Sequence, residues 1–223
     1  MKQAKQCAFQ ISIPYDFSMM TKIFWILVCL FLSLNLSANS RVGKSNGLKI
    51  PKQILLFEKN KGQFDKSILF KALDKQAHYE FLKNSIDVSL ADKQNKVEFA
   101  YKMKFISANE KVNLRGNKNT VNPQFGARNY ITNDGMISNV GYFKEIKYES
   151  LWNNIDALFH NSGAGMKYDF IVSPGGKPKD IKIALDGVKN LAVNKKGELS
   201  FVSSLGKLLK GAPHTYQVIN GKK

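Results

Sequence analysis

The chain has 223 residues and a formal net charge of +17, from 34 lysines and arginines against 17 acids. Both cysteines, Cys7 and Cys29, lie in the first forty residues, which excludes a disulfide framework or a thiolate metal site from residues 41–223 and leaves packing to hold that body together. Setting aside Lys2, Lys5, Lys22 and Asp16 leaves the body 31 bases against 16 acids, or +15, but arginine stands only at 41, 115 and 128 and the lysines are scattered. Specific phosphate and base recognition leans on arginine's fork, so this composition describes a solvated surface and not specific nucleic-acid recognition.

Residues 1–19 resemble no targeting signal and read as an over-extended start, with translation beginning at Met19 or Met20. Residues 20–40 match a secretory signal peptide. Lys22 precedes an apolar run from Ile23 to Leu34 interrupted once by Ser33, and Ala38 and Ser40 are placed for cleavage near Ser40. That run is shorter than the roughly twenty apolar residues a bilayer crossing needs, so a helix that is removed is expected here, not a transmembrane anchor. Cys29 sits inside the apolar run without the small residues that precede a lipid-attachment cysteine. Residues 41–53, with Gly43, Gly47 and Pro51, read as a linker, and a β-rich domain is expected over 54–223.

The body opens with a short apolar strand at Ile54–Glu58 and a turn at Asn60-Lys-Gly62. Ile68–Leu73 fits a strand or a helical turn. His78–Leu82 and Ile86–Leu90 read as paired strands joined through Lys83-Asn84. Val97, Phe99, Tyr101, Met103 and Phe105 then alternate with Glu98, Ala100, Lys102 and Lys104, the period of a strand with one buried face. Residues 108–126, rich in Asn, Lys and Gly, read as a long loop. Order is regained at Asn129–Thr132 and a tight turn is predicted at Asn133-Asp-Gly135. Further strands are predicted at Phe143–Tyr148, Ile155–His160, Met166–Val172, Ile181–Leu185, Leu191–Val193, Leu199–Val202 and Thr215–Ile219. Pro174-Gly-Gly-Lys-Pro178, Asn194-Lys-Lys-Gly197, Ser204-Leu-Gly206 and Lys210-Gly-Ala-Pro213 separate them. With no sustained helical stripe and no repeat of twenty to fifty residues, this is an all-β chain. The expected fold is an antiparallel, sandwich-like module with long loops, preceded by a signal-peptide helix.

Several blocks, in order, resemble a known family. They are Phe57-Glu-Lys-Asn-Lys-Gly-Gln-Phe64, Asn129-Tyr-Ile-Thr-Asn-Asp134, Tyr148 to Asp156, Tyr168-Asp-Phe-Ile-Val172 with Pro174-Gly-Gly, and Tyr216-Gln-Val-Ile-Asn-Gly221. Together they are similar to a domain of unknown function in large surface proteins of gliding, type IX-secreting bacteria, where it precedes SBBP repeats that form a β-propeller. The family commonly has a tyrosine where this chain has His160, and it continues past the Asn-Gly turn with further strands. The resemblance therefore implies a C-terminally truncated member, in which Thr215–Ile219 or its neighbour is left as a sheet edge open to strand addition.

No catalytic, cofactor-binding or metal-binding residue is assigned. His78, His160 and His214 lack the close spacing of a zinc site. Asp156 and His160 point to the same side of one strand, but about 13 Å of strand rise separates their backbones. A glycosidase would need two converging carboxylates, which Asp156 and Asp169 on neighbouring strands would have to supply. Asn161-Ser-Gly-Ala-Gly165 falls between two strands and reads as a hairpin turn, because a phosphate loop needs a following helix. The expected function is a secreted, non-enzymatic module of a cell-surface protein with a structural or adhesive role. Its partner would be an extracellular polysaccharide or a missing C-terminal propeller. The alternatives are a carbohydrate-active hydrolase and a binder of polyanions, either acidic polysaccharide or extracellular DNA.

Overall fold

The structure is a computed structural model that describes residues 6–12, 55–74, 77–92, 96–117, 127–162 and 165–218. The predicted leader at 20–40 and linker at 41–53 lie outside the described residues, as do Asn220 and Gly221. Among the described residues there is no α-helix, only one 3-10 turn at Pro178–Asp180, and every strand pairing is antiparallel.

The strands in chain order begin with β1 (Gln6–Ser12), followed by β2 (Leu56–Lys59), β3 (Phe70–Leu73), β4 (Ala77–Phe81), β5 (Ser85–Asp92) and β6 (Val97–Phe105). β2 to β6 form a continuous meander. β7 (Asn113–Gly116) leaves that sheet, and the hairpin β8 (Ala127–Thr132) and β9 (Gly135–Phe143) returns to it beside β2. β10 (Glu145–Trp152), β11 (Ile155–Asn161) and β12 (Met166–Val172) make a second meander, and β13 (Ile183–Asp186) crosses back to pair with β6. A small sheet of β14 (Lys189–Val193), β15 (Leu199–Ser203) and β16 (Gly206–Lys210) follows, and β17 (His214–Val218) ends the described chain. The sheet orders are β13-β6-β5-β4-β3-β2-β9-β8, β17-β1-β12-β11-β10-β7 and β14-β15-β16.

The two large sheets pack through aromatic residues set by the period of two. Phe70, Phe81, Ile86 and Met103 lie in one cross-strand row, and Phe57, Ala72, Tyr79, Val88 and Tyr101 in the next; all are buried. Facing them are Ile146, Tyr148, Ile155, Ala157, Phe159, Tyr168, Phe170 and Val172. Phe81 meets Phe159 edge-on at 5.3 Å, and Phe105 meets Tyr148 at 5.4 Å and Trp152 at 5.9 Å, the geometry that ring quadrupoles favour. The polar tips of two buried rings find carbonyls on the opposite sheet. Tyr148 Oη donates to Leu82 O at 2.6 Å and Trp152 Nε1 donates to Ile106 O at 2.9 Å. Each buried pairing of this kind replaces a lost contact with water, which an unpaired hydroxyl or indole would forfeit.

The small sheet docks through Phe201 and Lys210, with Ser204 Oγ at its β15–β16 turn donating to Glu98 O at 2.8 Å and Leu205 and Leu208 packed against the core. Phe201 packs against Phe99 and Tyr101, the latter at 5.4 Å. Lys210 is buried, and its Nζ donates to Tyr168 Oη at 2.5 Å and lies 4.5 Å over the Tyr168 ring. Burial pulls the Lys210 ammonium down to about 7 and pushes the Tyr168 hydroxyl well above its ordinary range.

Three sequence expectations are corrected. The loop predicted at 108–126 contains β7, whose single buried apolar residue, Leu114, is too little to signal a strand. Phe143–Tyr148 is not one strand, because β9 ends at Phe143 and β10 begins at Glu145, with the chain passing between two sheets at Lys144. Residues 206–210, read as the flanks of two breaks, form β16. Beyond these corrections, the region read as an over-extended start contains β1, seated between β12 and β17.

Candidate functional site

The opening motif at 57–64 folds around one amide. Asn60 Nδ2 donates to the carbonyls of Phe64, Asp65 and Ile68, at 3.3, 2.9 and 2.7 Å, while its Oδ1 accepts from the amides of Gly62 and Phe64. Gln63 Nε2 donates to Lys59 O at 2.9 Å and to Glu58 Oε1 at 3.1 Å. Glu58 is itself only 7 % exposed. It also accepts from Tyr130 Oη at 2.5 Å, and Arg128 stands 3.9 Å away across the rings of Tyr130 and Tyr142. The Arg128 guanidinium, which donates to Tyr130 Oη, is held above its ordinary value by that bond. Burial and then the bond to Glu58 raise the Tyr130 hydroxyl. This cluster bolts the β8–β9 hairpin to β2, and its parts are mutually satisfied.

The outer face of the six-stranded sheet carries the second polar array. Lys147 Nζ lies 3.0 Å from Asp156 Oδ2 and 3.8 Å from Glu149, and Arg115 pairs with Glu149. Asp156 Oδ1 accepts from the Ser150 amide at 2.7 Å, at the bulge where the β10–β11 register shifts and Ser150 adopts φ 50°. Asp156 is thus occupied in stabilising the bulge. His160 does not reach Asp156; its Nε2 lies 3.1 Å from Asp169 Oδ2 on the next strand. The bond to Asp169, more than its charge, raises the His160 imidazole, and burial opposes this. The register pairs Leu158 with Asp169 and Asp156 with Ile171, so the two aspartates are diagonal neighbours on one face, about 7–8 Å apart at the backbone. Asp156 is engaged within the sheet through both oxygens and Asp169 through Oδ2, while Asp169 Oδ1 is buried without a hydrogen-bond partner among the described residues. Among the described residues no group of His, Cys, Asp and Glu is arranged to hold a metal ion. Asn161 and Met166 pair as the closing residues of the β11–β12 hairpin, and the Ser162 amide and Oγ both donate to Gly165 O, at 3.0 and 2.9 Å.

Beside this array lies a groove of about 620 Å³. Leu158 and Ile171 form its floor, Arg115, Asn117, Glu145 and Lys147 its polar side, and Phe143 and Lys59 its far wall. The wall requires Gly116, since a Cβ there would stand 2.3 Å from the Phe143 ring. Asn117 Nδ2 donates to Glu145 Oε1, which fixes that carboxylate at the groove's edge. Among the described residues that line it, Glu145 is the only carboxylate. An apolar floor, an aromatic wall and a few oriented polar groups are what a small polar ligand or a sugar unit needs from a binding surface. Sequence reading missed this groove, because it is made from β2, β7 and β9–β12, which are far apart in the chain.

The chain matches a family described as a domain of unknown function, DUF7948, over residues 57–223. It belongs to this family. The match begins at Phe57, the first residue of the Asn60-centred motif, and takes in both polar arrays and the groove. No curated protein and no solved structure matches the chain. Among the described residues no helix is long and apolar enough to cross a membrane.

Proposed function

We propose that this DUF7948 chain is a secreted, non-enzymatic β-module of a cell-surface protein, with a structural or adhesive role, that binds extracellular polysaccharide along the groove beside β7 and β10. The groove is the observation that carries the reading. Its apolar floor and Phe143 wall suit the flat face of a sugar ring, and Asn117, Glu145 and Lys147 on its polar side, with Lys59 beside Phe143, can meet hydroxyls. A single carboxylate among the described lining residues favours binding over hydrolysis, since glycoside cleavage needs two carboxyl groups flanking the bond. The commitment of Asp156 to Lys147 and Ser150, and of Asp169 to His160, supports the same reading.

Titration of the full chain with neutral and acidic oligosaccharides tests it. Binding is expected to weaken about tenfold or more in Leu158→Arg, which fills the floor, and severalfold in Asn117→Ala. Turnover of any oligosaccharide that disappears in Asp156→Asn or Asp169→Asn would overturn the non-enzymatic reading. Export is tested separately by mass spectrometry of the mature protein, whose N-terminus is expected just after Ser40.

A further inference from the structure

One strand of the six-stranded sheet comes from the far end of the chain. β1 pairs with β12 through six registered positions, from Cys7–Val172 to Ser12–Lys167, and with β17 through five, from Gln6–Val218 to Gln10–His214. β12 and β17 do not pair with each other. They stand two inter-strand spacings apart, about 9.6 Å, which leaves room for one strand. On the inner side of this slot lie Tyr168, Phe170 and Val172, all buried, at the register positions of Ile11, Phe9 and Cys7. On the outer side, position 8 falls between Ile171 and Tyr216, and position 10 between Asp169 and His214. The slot therefore asks for apolar residues at three alternate positions. It also asks for a small residue between Ile171 and Tyr216, and a neutral polar one between a carboxylate and an imidazole. Residues 6–12, Gln-Cys-Ala-Phe-Gln-Ile-Ser, meet that pattern.

We infer that the facing edges of β12 and β17 form a strand-acceptor slot. Once residues 1–40 leave with the leader, it takes a donor strand of the same alternating pattern from a partner polypeptide, antiparallel to β12. The second half of this statement rests on the secretion reading above; the slot itself does not. Without an occupant, β12 would present an unpaired row of amides and carbonyls beside the aromatic core. Among the described residues β17 would also have no sheet neighbour. An edge of this kind binds extended peptides through main-chain hydrogen bonds, and alternate side chains set the specificity.

Hydrogen exchange on the full chain tests the slot. Phe9→Asp, at the centre of β1, is expected to remove protection from residues 167–172 and 214–218 while 145–161 stay protected. A synthetic peptide of residues 4–14 added in trans restores protection at 167–172, and the same peptide carrying Phe9→Asp does not. Unchanged protection in the variant, or lost protection that the peptide fails to restore, overturns the inference. So does a variant that dimerises with 167–172 still protected, since a strand carrying Phe9→Asp then fills the slot and the apolar pattern sets no specificity. Where Phe9→Asp unfolds the whole sheet, the wild-type chain is incubated with excess isotope-labelled peptide. Uptake of the label with exposure of residues 6–12 supports the slot, and no uptake overturns it. Exported protein that retains residues 6–12 would contradict the secretion reading and leave the slot result standing.

Discussion

The β2–β6 meander and the small β14–β16 sheet differ in the fate of one lysine, since Lys189 and Lys207 of the small sheet are exposed but Lys210 is buried. On the meander's outer face Lys71 pairs with Glu80, Lys102 with Asp87 at 3.2 Å, and Lys104 with Asp186 of β13, all in contact with water. In the small sheet Lys210 points inward, and the hydrogen-bond partner it finds is the Tyr168 hydroxyl, not a carboxylate. Exposed pairs contribute little either way, typically less than about 1 kcal/mol. A buried ammonium is unfavourable unless it sheds its proton, which is why the Lys210 ammonium falls to about 7. The contrast teaches that the meander is fastened by its core, with its surface pairs adding little. The small sheet is fastened by Phe201, by the Ser204 bond to Glu98 O and by one buried lysine, and that lysine makes its docking depend on pH.

The largest effect should come from the ring. Phe201→Ala is expected to cost about 3–5 kcal/mol, the usual loss for a buried phenylalanine. Exchange should rise first in β15 and β16, whereas Phe81→Ala, of similar cost, should loosen both large sheets together. Equal loosening everywhere in Phe201→Ala would erase the distinction between the regions.

The lysine comes next. Between the folded value of about 7 and the ordinary lysine value, the unfolded chain binds more protons, so stability rises with pH across that window. The slope approaches about 1.4 kcal/mol per pH unit. Lys210→Met should flatten the dependence between pH 7 and 9 and raise stability at pH 6 by about 1–4 kcal/mol. Denaturant melts at each pH read both. Above pH 10 the raised Tyr148 and Tyr168 hydroxyls act in the other direction, because the unfolded chain ionises first.

Asp169→Asn should cost about 1.5 kcal/mol, the scale of a hydrogen bond to a charged group. Because the His160 value is raised, that contribution is complete below about pH 6.5 and fades as pH rises through the folded value. An NMR titration should show the imidazole falling back toward its ordinary value in the variant. Smallest of all, Lys102→Ala should change stability by less than about 1 kcal/mol in denaturant melts.

Much of the fold was legible because turns and periods are local. The alternation from Val97 to Phe105 marked β6, Asn133-Asp-Gly135 marked the β8–β9 turn, and Pro174-Gly-Gly marked the exit from β12. β7 was not legible, since its residues other than Leu114 face out or sit at the sheet edge, where no apolar pattern is required. Nor was the break at Lys144, because apolar residues continue through it while the chain changes sheets. At β1 the period of two is present in Cys7, Phe9 and Ile11, but only the tertiary register shows that β12 and β17 receive it. The site was least legible. Glu58, Tyr130 and Arg128 meet across some seventy residues of chain, and the groove combines Lys59 with Ile171. His160 also found its partner across a strand, in Asp169, and not along its own strand in Asp156.

The most direct test of a non-enzymatic binding module is NMR mapping of the full chain against a panel of oligosaccharides, with the ligand spectra followed over the same hours. The predicted result is saturable shifts centred on Lys59, Asn117, Glu145 and Leu158, with the ligand left intact. Shifts centred on Asp156 and Asp169, accompanied by cleavage products, would contradict it.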